Sequence, residues 1–301
     1  MPCAAGKGPV SADGPGLHSA AMLEVQPDAK AQHRLLWWKE VLLIASFYAV
    51  YTVIRNRFGS ARLSELGVPA HAFNNARRVI RFEKLLGLYH EGAIQHRFVR
   101  HTTFIRFWNV YYGTAHFVVT MVAFLLVFMR APAVFARWRN TLAFTTAFAL
   151  VGFSLFPLMP PRLLDDTSRF GGAAIARQER VGPFGFEDTM KRVGGLWSFD
   201  SGTISKISNQ YAAMPSLHIA WSTWSMLALW PLVRRRWLRG LLVLYPLATL
   251  FCIVVTANHY WLDGVGGLFT LAAGFVVGDR LHAWNQRRLA RRRHRAASIA
   301  P

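Results

Sequence analysis

Cysteine is nearly absent from this chain: its 301 residues hold two, Cys3 and Cys252. One lies in a polar tail and the other inside an apolar run, so a disulfide framework is not what organises the fold. The first 34 residues contain Gly, Pro, Ala and scattered charge but no apolar h-region. They read as a disordered cytoplasmic tail, neither a signal peptide nor a lipoprotein leader. No internal repeat is visible. The long apolar blocks are almost free of charge, and they lack the alternating or 3.6-residue stripe of a soluble domain.

What is present is hydrophobic mass, 53% of the residues, with 22 Phe and 11 Trp. Long uncharged blocks predict transmembrane helices, here at 35–56, 103–129, 136–158, 212–232, 238–257 and 261–279. The first has a short core, VLLIASFYAVYTVI, extended by Trp37 and Trp38 at an interface. Between it and the second, Val79, Phe82, Leu85, Leu86 and Leu88 recur at near-helical spacing with Arg77, Arg78, Arg81 and Lys84 among them. That pattern predicts an amphipathic helix on the membrane surface, with Glu83 and Glu91 on its polar side or paired with its arginines. The expected fold class is therefore all-α integral membrane: a six-transmembrane-helix bundle with an amphipathic surface helix. Its expected divisions are the 1–34 tail, 35–101, a 102–283 core containing an outer loop at 159–211, and a basic tail at 284–301.

The net charge of +20 raises nucleic acid as a partner, but the placement of the charge argues against it. RRRWLR at 234–239 separates two apolar blocks and RRLARRRHR at 287–295 follows the last. Basic residues flanking spans are cytoplasmic anchors beside anionic lipid. With six spans, both termini then face the cytoplasm, in a plasma or inner membrane. The ten Lys or Arg of 55–106 would face outward, where lipid phosphates can meet them.

On this topology three segments bring polar residues to one outer face. FPLMPPRLLDD (156–166) ends the third span, MPSLH (214–218) opens the fourth, and TANHYWLDGVGG (256–267) joins the fifth to the sixth. Arg162, Ser216, His218, His259 and Asp263 thus share a depth. His259 and Asp263, four apart, share a helix face. A carboxylate on one imidazole nitrogen fixes the tautomer and leaves the other nitrogen to attack. His218 is suited to protonating a leaving oxygen, and Arg162 and Ser216 to holding phosphoryl oxygens. Ser216 also suits a helix N-cap, Pro215 a first helical turn, and Gly264, Gly266 and Gly267 close helix packing. Tyr112 and His116, inside the second span, read equally as head-group contacts or core packing. Asp165 and Asp166 read as a solvated loop pair. The carboxylates are too few for a magnesium cage, so neither metal nor cofactor is expected.

PSLH followed about 40 residues later by HYWLD resembles the second and third signature motifs of the type 2 phosphatidic acid phosphatase superfamily. The flanks YAAMPSLH and NHYWLDGVGG, with NVYYGTAH at 109–116, look most like its inositol phosphorylceramide synthase branch. The resemblance implies a six-helix membrane core, with His259 as nucleophile, Asp263 as its orienting acid and His218 as general acid. It also implies a lipid-phosphate substrate, with water or an alcohol as acceptor. The first motif departs from the family pattern: Arg162 matches its arginine, but Leu155 replaces the lysine and Leu163 the proline. Cys252 and Ile253 replace the Ser-Arg pair of the third motif. Phosphate binding then falls to Arg162, with Lys206 or Arg106 as possible second cations. Two rivals of other classes remain: a haem carrier ligated by His116, His218 or His259, and a transporter using a His–Asp proton relay. The lipid, the acceptor and the oligomeric state stay open.

Overall fold

The computed structural model describes residues 69–168, 170–195 and 210–297, with Trp38, Leu42, Ala45, Ser46 and Ala49. The expected 1–34 tail, nearly all of the 35–56 span and Lys206 lie outside the described residues. The five isolated residues are helical and exposed. No β-strand occurs among the described residues, where Leu158 and Ala212 form a single isolated bridge.

The helices are α1 (Pro69–Leu85), α2 (Glu91–Phe98), α3 (Thr102–Arg130), α4 (Pro132–Leu155), α5 (Ala173–Gln178), α6 (Thr189–Arg192), α7 (Leu217–Leu229), α8 (Arg236–Val255) and α9 (Trp261–Ala297). α3, α8 and α9 over Trp261–Arg291 are long and apolar enough to cross a membrane. These are three of the five expected spans that fall within the described residues. In α4 the Arg137–Arg139–Asn140 stretch and its threonines dilute the hydropathy. α7 has 13 residues, about 20 Å of helix, short of a hydrocarbon core of about 30 Å.

Local chemistry sets several boundaries. α3 and α4 share Ala131 as C-cap and N-cap, and Pro132 opens α4, where its missing N–H is no loss. α7 starts five residues later than the span expected at 212–232. Ser216 is its N-cap residue, but the side chain makes no capping bond, and Pro215 stands outside the helix. α9 continues as helix through the Arg-rich stretch of the expected 284–301 tail.

The expected surface helix is two helices joined by a turn. On α1, Ala72, Phe73, Ala76, Val79 and Ile80 are buried in a core with Leu158, Tyr211 and Tyr260. Phe82, Leu85, Leu86 and Leu88 are exposed around its end. The described part of the 159–211 connection is pinned in place. The Gln95 amide donates to Glu187 O (2.8 Å) and accepts from Glu187 N (3.0 Å). Asn109 donates to the carbonyls of Thr189 and Gly194 (2.9 and 2.8 Å). Asp165 and Asp166 are therefore not a solvated pair. Asp165 accepts from the backbone N–H groups of Phe184, Gly185 and Phe186, and Asp166 pairs with Lys191 (3.1 Å) and bonds Ser168. Burial opposes the charge on Asp166, but the Ser168 bond and the Lys191 pair outweigh it and hold its carboxyl below the usual range.

Close helix contact depends on glycine. A Cβ on Gly274 of α9 would sit 2.3 Å from Thr145 Oγ1 of α4, and one on Gly278 would sit 3.0 Å from Thr141 N. These positions, one turn apart, make the small-residue seam by which membrane helices pack. Near that end Arg137 clamps Asp279 through two bonds of 2.5 and 2.7 Å. Toward the site, Gly267 meets the Ser216 carbonyl and Gly266 meets Pro215. Gly274→Val should lower stability by about 1–3 kcal/mol, read as a reduced thermal midpoint in detergent. An unchanged midpoint would show that α4 and α9 do not meet along this seam.

Candidate active site

Four stretches converge at one end of the helices: the α8–α9 joint with the start of α9, the start of α7, the middle of α3, and the turn at Pro161–Leu163. The joint is made by backbone bonds. Ala257 N donates to Val254 O, while Asn258 N and His259 N both reach Ile253 O. Ala257 takes a left-handed φ of 53° to complete the turn, which for a non-glycine residue stores strain that its neighbours must hold. Tyr260, fully buried, anchors the joint by donating its hydroxyl to Met159 O (3.1 Å).

His259 leaves this joint almost completely buried. Its Nδ1 lies 2.8 Å from Ala213 O and 3.2 Å from Asp263 Oδ2. A carbonyl oxygen only accepts, so Nδ1 carries the proton and donates to both. Nε2 then holds the lone pair. It is buried and has no hydrogen-bond partner among the described residues. Asp263 Oδ2 also accepts from Tyr260 N (3.0 Å), and the Asp263 carbonyl takes Ser216 N (2.8 Å). One residue thus orients the imidazole with its side chain and ties α7 to α9 with its backbone.

The His218 ring lies 5.3 Å from that of His259, centroid to centroid. It stacks on Tyr112 at 4.2 Å and meets His116 at 4.1 Å. Its Nε2 donates to Tyr112 O at 3.3 Å, which fixes that nitrogen as the protonated one. His116, one helical turn beyond Tyr112, is buried, with Nδ1 unpartnered among the described residues. Three imidazoles and a phenol are therefore gathered in one cluster, with two of them supplied by α3. The Ser216 hydroxyl is also buried without a hydrogen-bond partner among the described residues.

Arg162 borders this cluster but is already engaged. Its backbone N–H reaches Ala257 O (2.8 Å). Its guanidinium donates to Asn258 Oδ1 (2.9 Å), Asp188 Oδ2 (2.7 Å) and Gln210 Oε1 (2.5 Å). Asp188 and Gln210 come from the 159–211 connection and gave no sign of this role in the sequence. Asn258 is adjacent to His259 and was the one partner with a positional hint. Arg106 is exposed near the start of α3. Glu83 and Glu91, expected on a polar helix face, are instead fully buried, and both accept from the first N–H groups of α9.

A family model described as the PAP2 superfamily matches residues 77–277. The chain is also 25% identical to the inositol phosphorylceramide synthase catalytic subunit aur1 of Schizosaccharomyces pombe over 173 residues, 56% of this chain and 39% of that relative. The aligned stretch therefore spans well under half of the relative's length. No solved structure matches the chain.

Because Ala213 and Asp263 both accept from Nδ1, Asp263→Asn should leave His259 in its Nδ1–H tautomer. Side-chain ¹⁵N spectra of histidine-labelled protein read this directly. A switch to Nε2–H would show that the carboxylate alone sets the tautomer.

Proposed function

The chain belongs to the PAP2 superfamily of membrane lipid phosphatases and phosphotransferases, and from that premise we propose that it moves a lipid-linked phosphoryl group through a phosphohistidine at His259. The observation that supports this best is the state of His259: Nδ1–H held twice, Nε2 buried and unpartnered, and a second imidazole at 5.3 Å. Nε2 attacks phosphorus, and the bond to the leaving oxygen breaks. His218, entering as the imidazolium with Nε2–H kept on Tyr112 O, supplies its Nδ1 proton to that oxygen and is left neutral. An acceptor hydroxyl then attacks the same phosphorus, the P–N bond breaks, and the acceptor's proton returns to His218. Asp263 stabilises the imidazolium as charge develops.

Arg162 and Ser216 are the proposed phosphate ligands. For Arg162 this means exchanging the neutral Gln210 amide for a phosphoryl oxygen, which competes well for a guanidinium because that bond is charge-assisted. Tyr112 and His116 remain proposed head-group contacts through their closeness to His218. Nothing in this scheme calls for a metal ion. The wider arrangement proposed is six spans with both termini cytoplasmic and the site at the outer face of a plasma or inner membrane. The lipid tail would enter between helices.

The Schizosaccharomyces pombe relative is named as a subunit of an inositol phosphorylceramide synthase, which favours transfer of a phosphorylated head group to an alcohol. Hydrolysis, with water as acceptor, is the second reading and uses the same residues. The haem and proton-relay alternatives account for neither the family match nor the motif order.

Purified protein given lipid phosphates and phosphoinositides, with alcohol acceptors and EDTA, should turn over without added metal. His259→Ala should lose more than about 10³-fold of that rate, and Asp263→Asn about 10²-fold, with both variants still folded by circular dichroism. The ratio of transferred lipid to free phosphate separates transferase from phosphatase. Full activity in His259→Ala would exclude the phosphohistidine route.

A further inference from the structure

The amino terminus of α9 is held by an unusual pair. Its first turn carries Asp263, so any shift of this helix end moves the Asp263–His259 contact. Leu262 N donates to Glu83 Oε1 at 2.9 Å and Trp261 N to Glu91 Oε1 at 3.3 Å. Glu83 comes from α1 and Glu91 from α2, 179 and 170 residues away in sequence. Helix N-termini expose N–H groups that need acceptors and carry a partial positive charge. Two carboxyls there satisfy both needs, but only one negative charge is required to do it.

Both side chains are fully buried, and the second oxygen of each has no donor among the described residues. The two carboxyls sit on consecutive N–H groups of one helix end, and neither forms an ion pair with a cation among the described residues. A carboxylate oxygen cannot donate, and two adjacent buried charges of the same sign repel strongly. One proton held by the pair would remove that repulsion and supply a donor for the bare oxygens.

We propose that Glu83 and Glu91 are a proton-sharing carboxyl pair that positions the start of α9, and through it Asp263 and His259, and that loss of the shared proton loosens this end of the site. The positioning half rests on the phosphohistidine reading above; the shared proton does not. Burial and the neighbouring Glu91 carboxyl together push Glu83 up to about 9, against the pull of the Leu262 N–H. The titratable groups facing it are Glu91 and Tyr89 from the α1–α2 segment, and Tyr260 and Asp263 from the joint and α9. Tyr89 is itself pushed to about 12 by burial and by these carboxylates, so it stays neutral while Glu83 titrates. Lys84 lies over the Tyr89 ring, 5.0 Å away, as the nearby cation.

The direction of the pH effect follows. In the unfolded chain a glutamate releases its proton near pH 4.3, roughly; in the folded protein Glu83 keeps its proton to about 9. The native state therefore binds more protons between those values, and stability falls as pH rises through that window. Glutamine at 83 supplies the donor permanently, since its amide can bond Glu91 while its carbonyl accepts from Leu262.

The test is made on the full chain in detergent. Thermal midpoints of wild type and Glu83→Gln are compared from pH 6 to pH 10. Wild type should fall from pH 6 to about 9 and level off above it, and Glu83→Gln should be flatter by several degrees. Superimposable profiles would overturn the shared proton. For positioning, Glu83→Ala should lose about tenfold in kcat with little change in KM, and Glu83→Gln should recover most of it and move the alkaline limb upward. A Glu83→Ala enzyme with wild-type kcat, or a Gln variant as slow as Ala, would overturn the positioning role. If wild type turns over no substrate, the functional reading has failed, and the melts still decide the proton pair.

Discussion

The α8–α9 joint has to end one long apolar helix, reverse the chain and begin another without leaving polar backbone groups bare. Residues 256–260 are buried, so every N–H and C=O there must find a partner in the protein. The joint does this with carbonyls from α8, with the Arg162 backbone, and with carboxyls borrowed from α1 and α2. The site is a by-product of that closure. His259 is the residue the turn presents inward, and the carbonyl that accepts its proton, Ala213, belongs to the non-helical approach to α7. Had α7 begun at residue 212, as its hydropathy suggests, that carbonyl would have been spent inside the helix.

Three elements meet where Pro215 lies against Gly152 of α4 and Gly266 of α9. Next to it, Ser216 bonds Asp263 through the backbone and faces Gly267. The glycines let the proline-containing approach lie close to α9. That closeness allows His218, two residues on, to face His259 across a short gap. Packing and chemistry therefore share residues here, and the first turn of α9 serves both.

Much of this arrangement was legible in the sequence. His218, His259 and Asp263 stand in short motifs with fixed order and a common predicted depth, and the structure brings those three together. The spacing of His259 and Asp263 by one helical turn was enough to foresee their contact. Glu83 and Glu91 were not legible, because an acidic residue amid arginines on an amphipathic helix reads as a solvated face. Only the tertiary docking of α1 and α2 on the start of α9 shows otherwise. Nor could Arg162 be seen with Asp188 and Gln210, since those contacts cross 26 and 48 residues of a connection without hydrophobic periodicity. The extent of α9 was underestimated because hydropathy ends where charge begins, whereas helix propensity does not: Arg, Ala and Leu are all good helix formers.

That uninterrupted length makes α9 a ruler. From Asp263 to Arg280 is about 26 Å of helix, and to Arg287 about 36 Å, which brackets the thickness of a hydrocarbon core. On the proposed topology the basic end meets one layer of lipid phosphates while the other end carries Asp263 beside the proposed nucleophile His259. Because one continuous helix joins them, bilayer thickness would on that topology set how deep His259 lies. A thinner membrane would push Asp263 and His259 toward water or tilt the rod, and a thicker one would draw them into oil.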